Sequence, residues 1–184
     1  MKVILLSGVH GVGKGFFLEQ VKKNIEEYNV YSASKLIERY KSPTDAGYKK
    51  VCNVNNNQDI LIEAIKKEKL HSTKDFIIDG HLCVFNAEGK VERIPEYFFV
   101  DTGINGIVLL QDDPIVISQR INDRDAEKIN VKDLREMQDE EYMYACELQN
   151  KFHIKYKVIS HNYTGEQFKT LLSSIGGGFN EQCN

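Results

Sequence analysis

The chain has 184 residues, of which 24 are basic, 27 are acidic and 41% are hydrophobic. This length suits one domain with a buried core, and the near-balanced charge argues against a dedicated nucleic-acid-binding surface. The plentiful apolar residues exclude a disordered chain, the apolar runs are too short to span a bilayer, and no signal peptide is apparent. The cysteines form no CxxC pair and are expected to be reduced thiols. We expect a cytoplasmic protein without membrane segments.

Strands and helices alternate along the first half of the sequence. The continuous apolar run of the first strand is typical of a strand covered on both faces. The next segment carries Phe17, Leu18, Val21, Ile25 and Tyr28 on one helical stripe. The predicted elements are a strand at 3–6, a helix at 14–28, a strand at 29–32, a helix at 35–41, an irregular insert at 42–57 and a helix capped by Asn57.

The second half continues the alternation with clearer boundaries. Asp113 and Asn130 are placed to cap helices, and Thr164 with Gln167 forms a capping box. The predicted strands are 76–78, 106–110 and 156–160, the predicted helices begin after 113, 130 and 164, and the last helix is stopped by the glycines at 176–178. About five strands alternating with helices predict a parallel sheet with helices on both faces, in one domain spanning 1–178 followed by a flexible tail at 179–184.

A glycine-rich loop lies between the first strand and the first helix. Its sequence, GVHGVGK over residues 8–14, is the GxxxxGK pattern in the strand-loop-helix context that phosphate binding requires. Such a loop turns successive backbone N–H groups toward a phosphate, and the helix N-terminus adds partial positive charge. Lys14 supplies an ammonium for the β- and γ-phosphates. The expected nucleotide-binding residues in the loop are Gly8, Val9, His10, Gly11, Val12, Gly13, Lys14, Gly15 and Phe16.

The expected metal is Mg²⁺, bound together with ATP. Residue 15 is glycine, where most such loops carry a Ser or Thr that ligates Mg²⁺ directly. Phosphates, water and a distant carboxylate would therefore hold the ion. Asp79 ends a buried strand at the sheet edge where the loop must also lie, so it is the expected carboxylate, acting through water.

Arginines supply candidates for stabilising a transferred phosphoryl group. Arg120 and Arg124 are four residues apart and share one helix face, in front of a short polar segment that could form a lid around 120–130. Arg39 and His81 are candidate contacts to an acceptor. For each of these residues a purely structural role, as a solvated helix face or a strand cap, remains the alternative.

The sequence resembles adenylate kinases and related nucleoside monophosphate kinases. The loop GVHGVGKG matches their form, and the second half is similar to archaeal-type adenylate kinases and their small P-loop relatives. The matching features are the Asp-x-His at 79–81, the Ile-Pro at 94–95, the Asp-Pro helix start at 113–114 and the following arginines. The resemblance spans most of residues 1–175.

The resemblance implies a P-loop fold and a set of roles. The sheet would have five parallel strands in the order 2-3-1-4-5. Lys14 and Arg124 would stabilise the transferred phosphoryl, with Arg120 contributing from the lid, and Asn162 would lie near the donor base. Ser34, in a segment that only loosely resembles the acceptor motif, would contact the acceptor.

The sequence therefore predicts a phosphotransferase that moves the γ-phosphoryl group of Mg·ATP to a nucleoside monophosphate. Two alternatives remain open. One is a kinase of another acceptor, such as a nucleoside or a polynucleotide end. The other is a nucleotide-binding regulatory module that hydrolyses ATP slowly. The partners expected are small-molecule nucleotides, and the oligomeric state cannot be derived from the sequence.

Overall fold

The computed structural model describes residues 1–41, 54–86, 88–125 and 129–175. The strands are β1 (Val3–Ser7), β2 (Tyr28–Ser32), β3 (Asp75–Asp79), β4 (Cys83–Phe85), β5 (Val91–Arg93), β6 (Gly106–Leu110) and β7 (Lys155–Ile159). The helices are α1 (Lys14–Val21), α2 (Ala33–Tyr40), α3 (Val54–Leu70), α4 (Glu96–Thr102), α5 (Pro114–Asp125), α6 (Val131–Phe152) and α7 (Gly165–Ile175).

Five of the strands form a parallel sheet in the order β2-β3-β1-β6-β7. Numbering only these parallel strands gives 2-3-1-4-5, so the predicted order is confirmed. Strand β1 lies between β3 and β6, with Ile4 opposite Ile77 on one side and Gly106 on the other. Every residue of β1 and β6 is buried, because helices cover both faces of the sheet.

The parallel topology brings the carboxyl ends of the strands to one edge. The glycine-rich loop follows β1, Ser34 follows β2, and Asp79 ends β3. The segments after β6 and β7 reach the same edge. Loops at this edge of an open α/β sheet form the ligand-binding crevice.

Capping predicted from the sequence is present at three helix starts. The Asp113 carboxylate at α5 and the Asn130 side chain at α6 each accept a hydrogen bond from a backbone N–H of the first turn, at 2.8 and 2.9 Å. At α7, Thr164 and Gln167 exchange the two bonds of a capping box. These bonds satisfy N–H groups that have no partner within the helix.

Two predicted helix boundaries are wrong. Helix α1 ends at Val21, a short 3-10 turn follows, and Tyr28 already belongs to β2. Ile25 and Tyr28 are nevertheless buried, because the turn directs them to the same core that a longer helix would have reached. Helix α3 begins at Val54, so Asn57 lies inside the helix and does not cap it.

The antiparallel hairpin of β4 and β5 was not predicted. Its strands have three residues each and pair Cys83 with Arg93 and Phe85 with Val91. The side chain of Asn86 stabilises the turn by accepting from the backbone N–H groups of Glu88 and Lys90. Most of the predicted insert (42–53), the lid residues 126–128 and the residues from 176 onward, including the predicted tail, lie outside the described residues.

Candidate phosphate-binding site

The glycine-rich loop adopts a backbone that favours glycine, as Gly11 and Gly13 show. Gly11 has φ 80° and Gly13 has φ 98°, the left-handed region that other residues rarely adopt. A Cβ on Gly11 would also lie 2.3 Å from the side chain of Ile121. Gly13 stands immediately before α1, so the loop leads directly into the helix N-terminus. The local conformation is therefore suited to an anion bound by backbone N–H groups.

Lys14 holds its ammonium at the base of this loop. The residue is 8% exposed, and its Nζ donates to the Gly8 carbonyl at 2.7 Å. The ammonium lies 3.8 Å from the nearer carboxylate oxygen of Asp79. Burial lowers the pKa of Lys14, while the carboxylates of Asp79 and Glu141 act to raise it. The nearby carboxylates offset the cost of burying this cation only in part, so the ammonium is a strong site for a phosphate group.

Asp79 shares a pocket of about 390 Å³ with the loop. It is the one carboxylate among the described residues that line this pocket. Burial raises the pKa of Asp79, and the neighbouring Lys14 lowers it. The remaining lining comes from the loop, from the end of β2 and the segments after β2 and β3, and from α5: Val9, His10, Gly11, Gly13, Lys14, Gly15, Phe16, Ser32, Ala33, Ser34, Gly80, His81 and Arg124.

His81 faces the ammonium of Lys14. Its Nδ1 lies 3.5 Å from Nζ. Burial and the adjacent Lys14 charge lower the pKa of His81 to about 3. The imidazole is therefore neutral at physiological pH, with one ring nitrogen that donates and one that accepts a hydrogen bond.

The pocket fits a magnesium-nucleotide whose metal is held mainly by phosphates. An added Cβ at Gly15 would meet no atom within 4 Å, so the space where other loops place a hydroxyl ligand is open. In the described parts of the chain, no group of three or more His, Cys, Asp or Glu side chains could hold a metal ion. One carboxylate, that of Asp79, remains to bind Mg²⁺-coordinated water, which suits an ion brought in by the nucleotide.

Arg120 contacts the loop from α5. Its guanidinium pairs with Asp112 at 2.8 Å and donates to the Val12 carbonyl at 3.3 Å. The Nε2 of His161 also bonds this carbonyl, at 2.6 Å. In this arrangement Arg120 supports the backbone of the loop, and its predicted contact with phosphate stays a prediction.

Arg124 lies one turn further along α5 and lines the phosphate pocket. Its guanidinium contacts Nε2 of His10 at 2.6 Å, which joins α5 to the tip of the loop. Lys14 and Arg124 are therefore two cations that line one pocket. Such a pair is suited to a group that carries several negative charges.

Phe16, predicted to bind nucleotide at the end of the loop, and Asn162, predicted to lie near the donor base, are both exposed. Phe16 is 66% exposed, with its ring centroid 6.5 Å from that of His161. Asn162 is exposed, whereas its neighbour His161 packs against Gly13, whose added Cβ would lie 3.0 Å from the imidazole. Sequence reasoning missed His161, although its position directly after the last parallel strand placed it at the correct edge.

Of the three predicted acceptor-binding residues, two lie in the phosphate pocket and one does not. Ser34 and His81 line the phosphate pocket together. Arg39 instead pairs with Glu68 at 2.9 Å, and the hydroxyl groups of Tyr31 and Tyr40 bond the same carboxylate. These contacts bind α2 and β2 to α3, so Arg39 stands outside the residues that line the pocket.

A second, smaller cavity adjoins the phosphate pocket. It has a volume of about 180 Å³, and the two share the wall formed by Ala33, Ser34, Gly80 and His81. Its other lining is largely apolar and comes from the sheet, from α2 to α4 and from the hairpin: Leu5, Ile37, Asn57, Gln58, Leu61, Ile78, Val84, Ile94 and Phe98.

Glu141 hydrogen-bonds both the end of β1 and the segment that follows β3. This α6 residue is fully buried, and its Oε1 accepts from the Ser7 hydroxyl at 2.8 Å and from the Leu82 N–H at 3.1 Å. Ser7 directly precedes the loop, and Leu82 follows His81. Burial raises the pKa of Glu141, while these hydrogen bonds and the charge of Lys14 lower it. The sequence did not reveal this residue, since it lies in an acidic stretch typical of a solvated helix face.

The parallel sheet, the glycine-rich loop and the buried lysine define a P-loop nucleotide-binding domain of the kinase-like kind. The chain belongs to the AAA_17 family, described as an AAA domain, which matches residues 7–138. The match includes the loop, Asp79 and both arginines of α5. Comparison with curated proteins finds no match.

Solved structures share the fold at low sequence identity. A gluconokinase from Sinorhizobium meliloti 1021 is 13% identical with a TM-score of 0.54, over 95% of this chain and 93% of that one. The tunicamycin resistance protein of Deinococcus radiodurans is 12% identical with a TM-score of 0.57, over 94% of each chain. These likenesses concern the fold and not the adenylate kinases in particular. No helix in the described segments has both the length and the apolarity needed to cross a bilayer.

Proposed function

We propose that the protein is an ATP-dependent phosphotransferase that moves the γ-phosphoryl group of Mg·ATP to a small-molecule acceptor. The observation that carries the proposal is the buried ammonium of Lys14 at the base of a glycine-rich loop, 3.8 Å from the Asp79 carboxylate in a pocket of about 390 Å³. That combination supplies phosphate binding and a point of attachment for a hydrated metal.

Each charged side chain has a distinct task in this proposal. The loop N–H groups hold the phosphates, and Lys14 neutralises charge on the β- and γ-phosphates. Arg124 faces the transferred group from α5 and stabilises the charge that spreads over its oxygens in the transition state. The Mg²⁺ ion, held by the phosphates and by water at Asp79, would supply further charge neutralisation.

The likeness to a protein named as a gluconokinase supports phosphotransfer as the reaction class, on a shared fold alone. The nucleoside monophosphate predicted from the sequence is one candidate acceptor. The open position at Gly15 and the wall shared with the second cavity favour a substrate that approaches from the side of Ser34 and His81.

The test is ADP formation from Mg·ATP by the purified protein, alone and with nucleoside monophosphates, nucleosides and sugar acids. A phosphotransferase requires the second substrate, so ADP should form rapidly with one acceptor class and slowly without it. Calorimetry should detect saturable ATP binding that Lys14→Ala weakens. ADP formation that no acceptor increases would instead indicate the slow regulatory ATPase.

A further inference from the structure

We infer that the acceptor is an uncharged hydroxyl compound whose small apolar ring or branched group occupies the 180 Å³ cavity beside the phosphate pocket. This inference rests on the proposed phosphotransferase function. It specifies the chemistry of the second substrate and departs from the nucleoside monophosphate that the sequence predicted.

The position of the cavity makes it an acceptor site. Ser34, Gly80 and His81 line both it and the phosphate pocket, so the two spaces meet at these residues. A molecule whose body lies in the cavity has its polar end at this junction. Ser34 and His81 can then hydrogen-bond a hydroxyl group next to the transferred phosphoryl.

The lining of the cavity is suited to a neutral molecule. Apolar side chains from β1, β3 and α3 form its walls, and its polar members are Ser34, Asn57, Gln58 and His81. No Lys, Arg, Asp or Glu lies among the described residues that line it. A charged group inside this cavity would lose its water and find no cation among these residues, so the part of the acceptor that occupies the cavity is uncharged.

Two further arginines, Arg39 and Arg93, already have carboxylate partners outside this cavity. Arg39 pairs with Glu68 at 2.9 Å on the outer side of α2 and α3. Arg93, at the end of the hairpin, bonds Glu140 and Glu147 of α6. Each forms a satisfied pair that a phosphate would have to disrupt.

The size of the cavity limits the apolar group. An engineered protein cavity of about 150 Å³ holds benzene, so a volume of about 180 Å³ accommodates one ring or a branched chain of similar size. Leu61, Phe98 and Ile78 are each nearly or fully buried and give this space rigid walls. The cavity therefore selects by size as well as by charge.

The reaction with such an acceptor balances without a further co-substrate. The acceptor hydroxyl oxygen forms a bond to the γ-phosphorus as the bond from that phosphorus to the β,γ-bridging oxygen breaks. ADP leaves with the bridging oxygen, and the hydroxyl proton passes to water. The products are a phosphate monoester, ADP and one proton.

The experiment compares matched acceptors that differ by one phosphate group. Uridine with UMP and thymidine with TMP are offered with Mg·ATP, and phosphorylated products are identified by mass spectrometry. In parallel, saturation-transfer NMR measures binding of 2-phenylethanol, a neutral single-ring alcohol, to the ATP-loaded protein. We expect 2-phenylethanol to bind and no monophosphate to be phosphorylated.

Filling the cavity provides the specific control. Leu61→Trp, or Val84→Phe if the first variant does not fold, should weaken 2-phenylethanol binding by roughly tenfold or more, because the ring loses its apolar contacts. ATP affinity should stay within about twofold, since neither residue lines the phosphate pocket. Val100→Trp, at an exposed site on α4, should change neither.

The outcomes separate this inference from the function on which it rests. Phosphorylation of UMP or TMP, or 2-phenylethanol binding that is absent or insensitive to Leu61→Trp and Val84→Phe, overturns the neutral acceptor and leaves the phosphotransferase intact. Failure of the protein to bind ATP overturns the proposed function itself.

Discussion

The ammonium of Lys14 lies 3.8 Å from the carboxylate of Asp79 across the floor of the phosphate pocket. Burial opposes charge on both groups: it lowers the pKa of Lys14 and raises the pKa of Asp79, and their mutual attraction offsets only part of this. In our proposal a triphosphate brings negative charge to the lysine and its metal brings positive charge to the carboxylate. Nucleotide binding would then offset the cost of burying both charged groups.

Replacing Lys14 with alanine should abolish turnover and leave the fold intact. In our proposal the substitution removes the charge that faces the β- and γ-phosphates, and loss of one such interaction lowers the rate by at least on the order of 10²–10³-fold. The measurements are ADP formation and circular dichroism. Lys22→Ala, which removes an exposed lysine just after α1, is the control and should keep full activity. A folded Lys14→Ala protein with normal turnover would refute the mechanism.

Removing the Arg124 guanidinium, which lines the phosphate pocket, should lower kcat by on the order of 10²-fold, because in our proposal this cation faces the transferred phosphoryl group. The KM for ATP should change less, since the loop N–H groups and Lys14 remain. Arg135→Ala, on the exposed face of α6, serves as the matched control. A kcat within a few-fold of wild type would exclude Arg124 from phosphoryl transfer.

Asp112→Asn should weaken ATP binding, by roughly tenfold, although this residue touches no phosphate in our proposal. Asp112 holds Arg120, which with His161 fixes the Val12 carbonyl and so the loop backbone. Calorimetric titration with ATP measures the effect, and Asp123→Asn on the exposed face of α5 is the control. If Asp112→Asn binds ATP as tightly as wild type, Arg120 does not act through this contact.

Glu141→Ala should lower the free energy of unfolding by about 2–4 kcal/mol, because Ser7 and Leu82 lose their acceptor and a cavity remains. Urea unfolding measures this. Asp139→Ala, exposed on the same helix, should change stability by less than about 0.5 kcal/mol. Equal losses of unfolding free energy in the two variants would show that the hydrogen bonds of Glu141 add no stability beyond that of an exposed side chain.

The free energy of unfolding should vary with pH in the direction that the raised pKa of Glu141 dictates. Burial raises its pKa above the ordinary value of 4.5, so the folded protein retains a proton that the unfolded chain has already lost. The contribution of Glu141 to the free energy of unfolding should therefore fall as pH rises from about 4.5 to the raised native pKa. The free energy of unfolding of Glu141→Gln, measured with urea across this pH range, should not show this fall. If the wild type and Glu141→Gln show the same dependence on pH, the raised pKa of Glu141 is contradicted.

His81 should remain neutral across the physiological range. Burial and the Lys14 charge lower its pKa to about 3, so its imidazole signal should not titrate between about pH 5 and 8. Proton NMR measures this, with the His81→Phe spectrum used for assignment. A midpoint near 6.5 for this signal would show that Lys14 and His81 are not in contact in solution.

Much of the fold was predictable because its signals are local or periodic. The apolar runs of β1 and β6 gave central strands, and capping residues such as Asp113 marked helix starts. The hairpin was missed because each of its strands has only three residues and β5 carries charged side chains. An alternation of apolar and polar residues cannot be recognised over so short a segment. The early end of α1 was missed because Ile25 and Tyr28 satisfy a helical period while packing from a turn and a strand.

The site was only partly predictable for a different reason. The loop and Lys14 form a contiguous motif, and Asp79 follows from the common edge of parallel strands. Glu141 and His161 act through contacts between residues more than a hundred positions apart, with Ser7 and with Val12. The partner of Arg39, which is Glu68, likewise depends on how α2 packs on α3. Such pairings become visible only when the chain is folded.

The most direct test of the central claim follows the labelled γ-phosphate of ATP. Wild-type protein is incubated with [γ-³²P]ATP, Mg²⁺ and the acceptor classes named above, and the labelled products are separated. The phosphotransferase proposal predicts label in an organic phosphate monoester, with little in inorganic phosphate, and loss of this product in Lys14→Ala. Label that appears only as inorganic phosphate, at a rate that no acceptor changes, would contradict it.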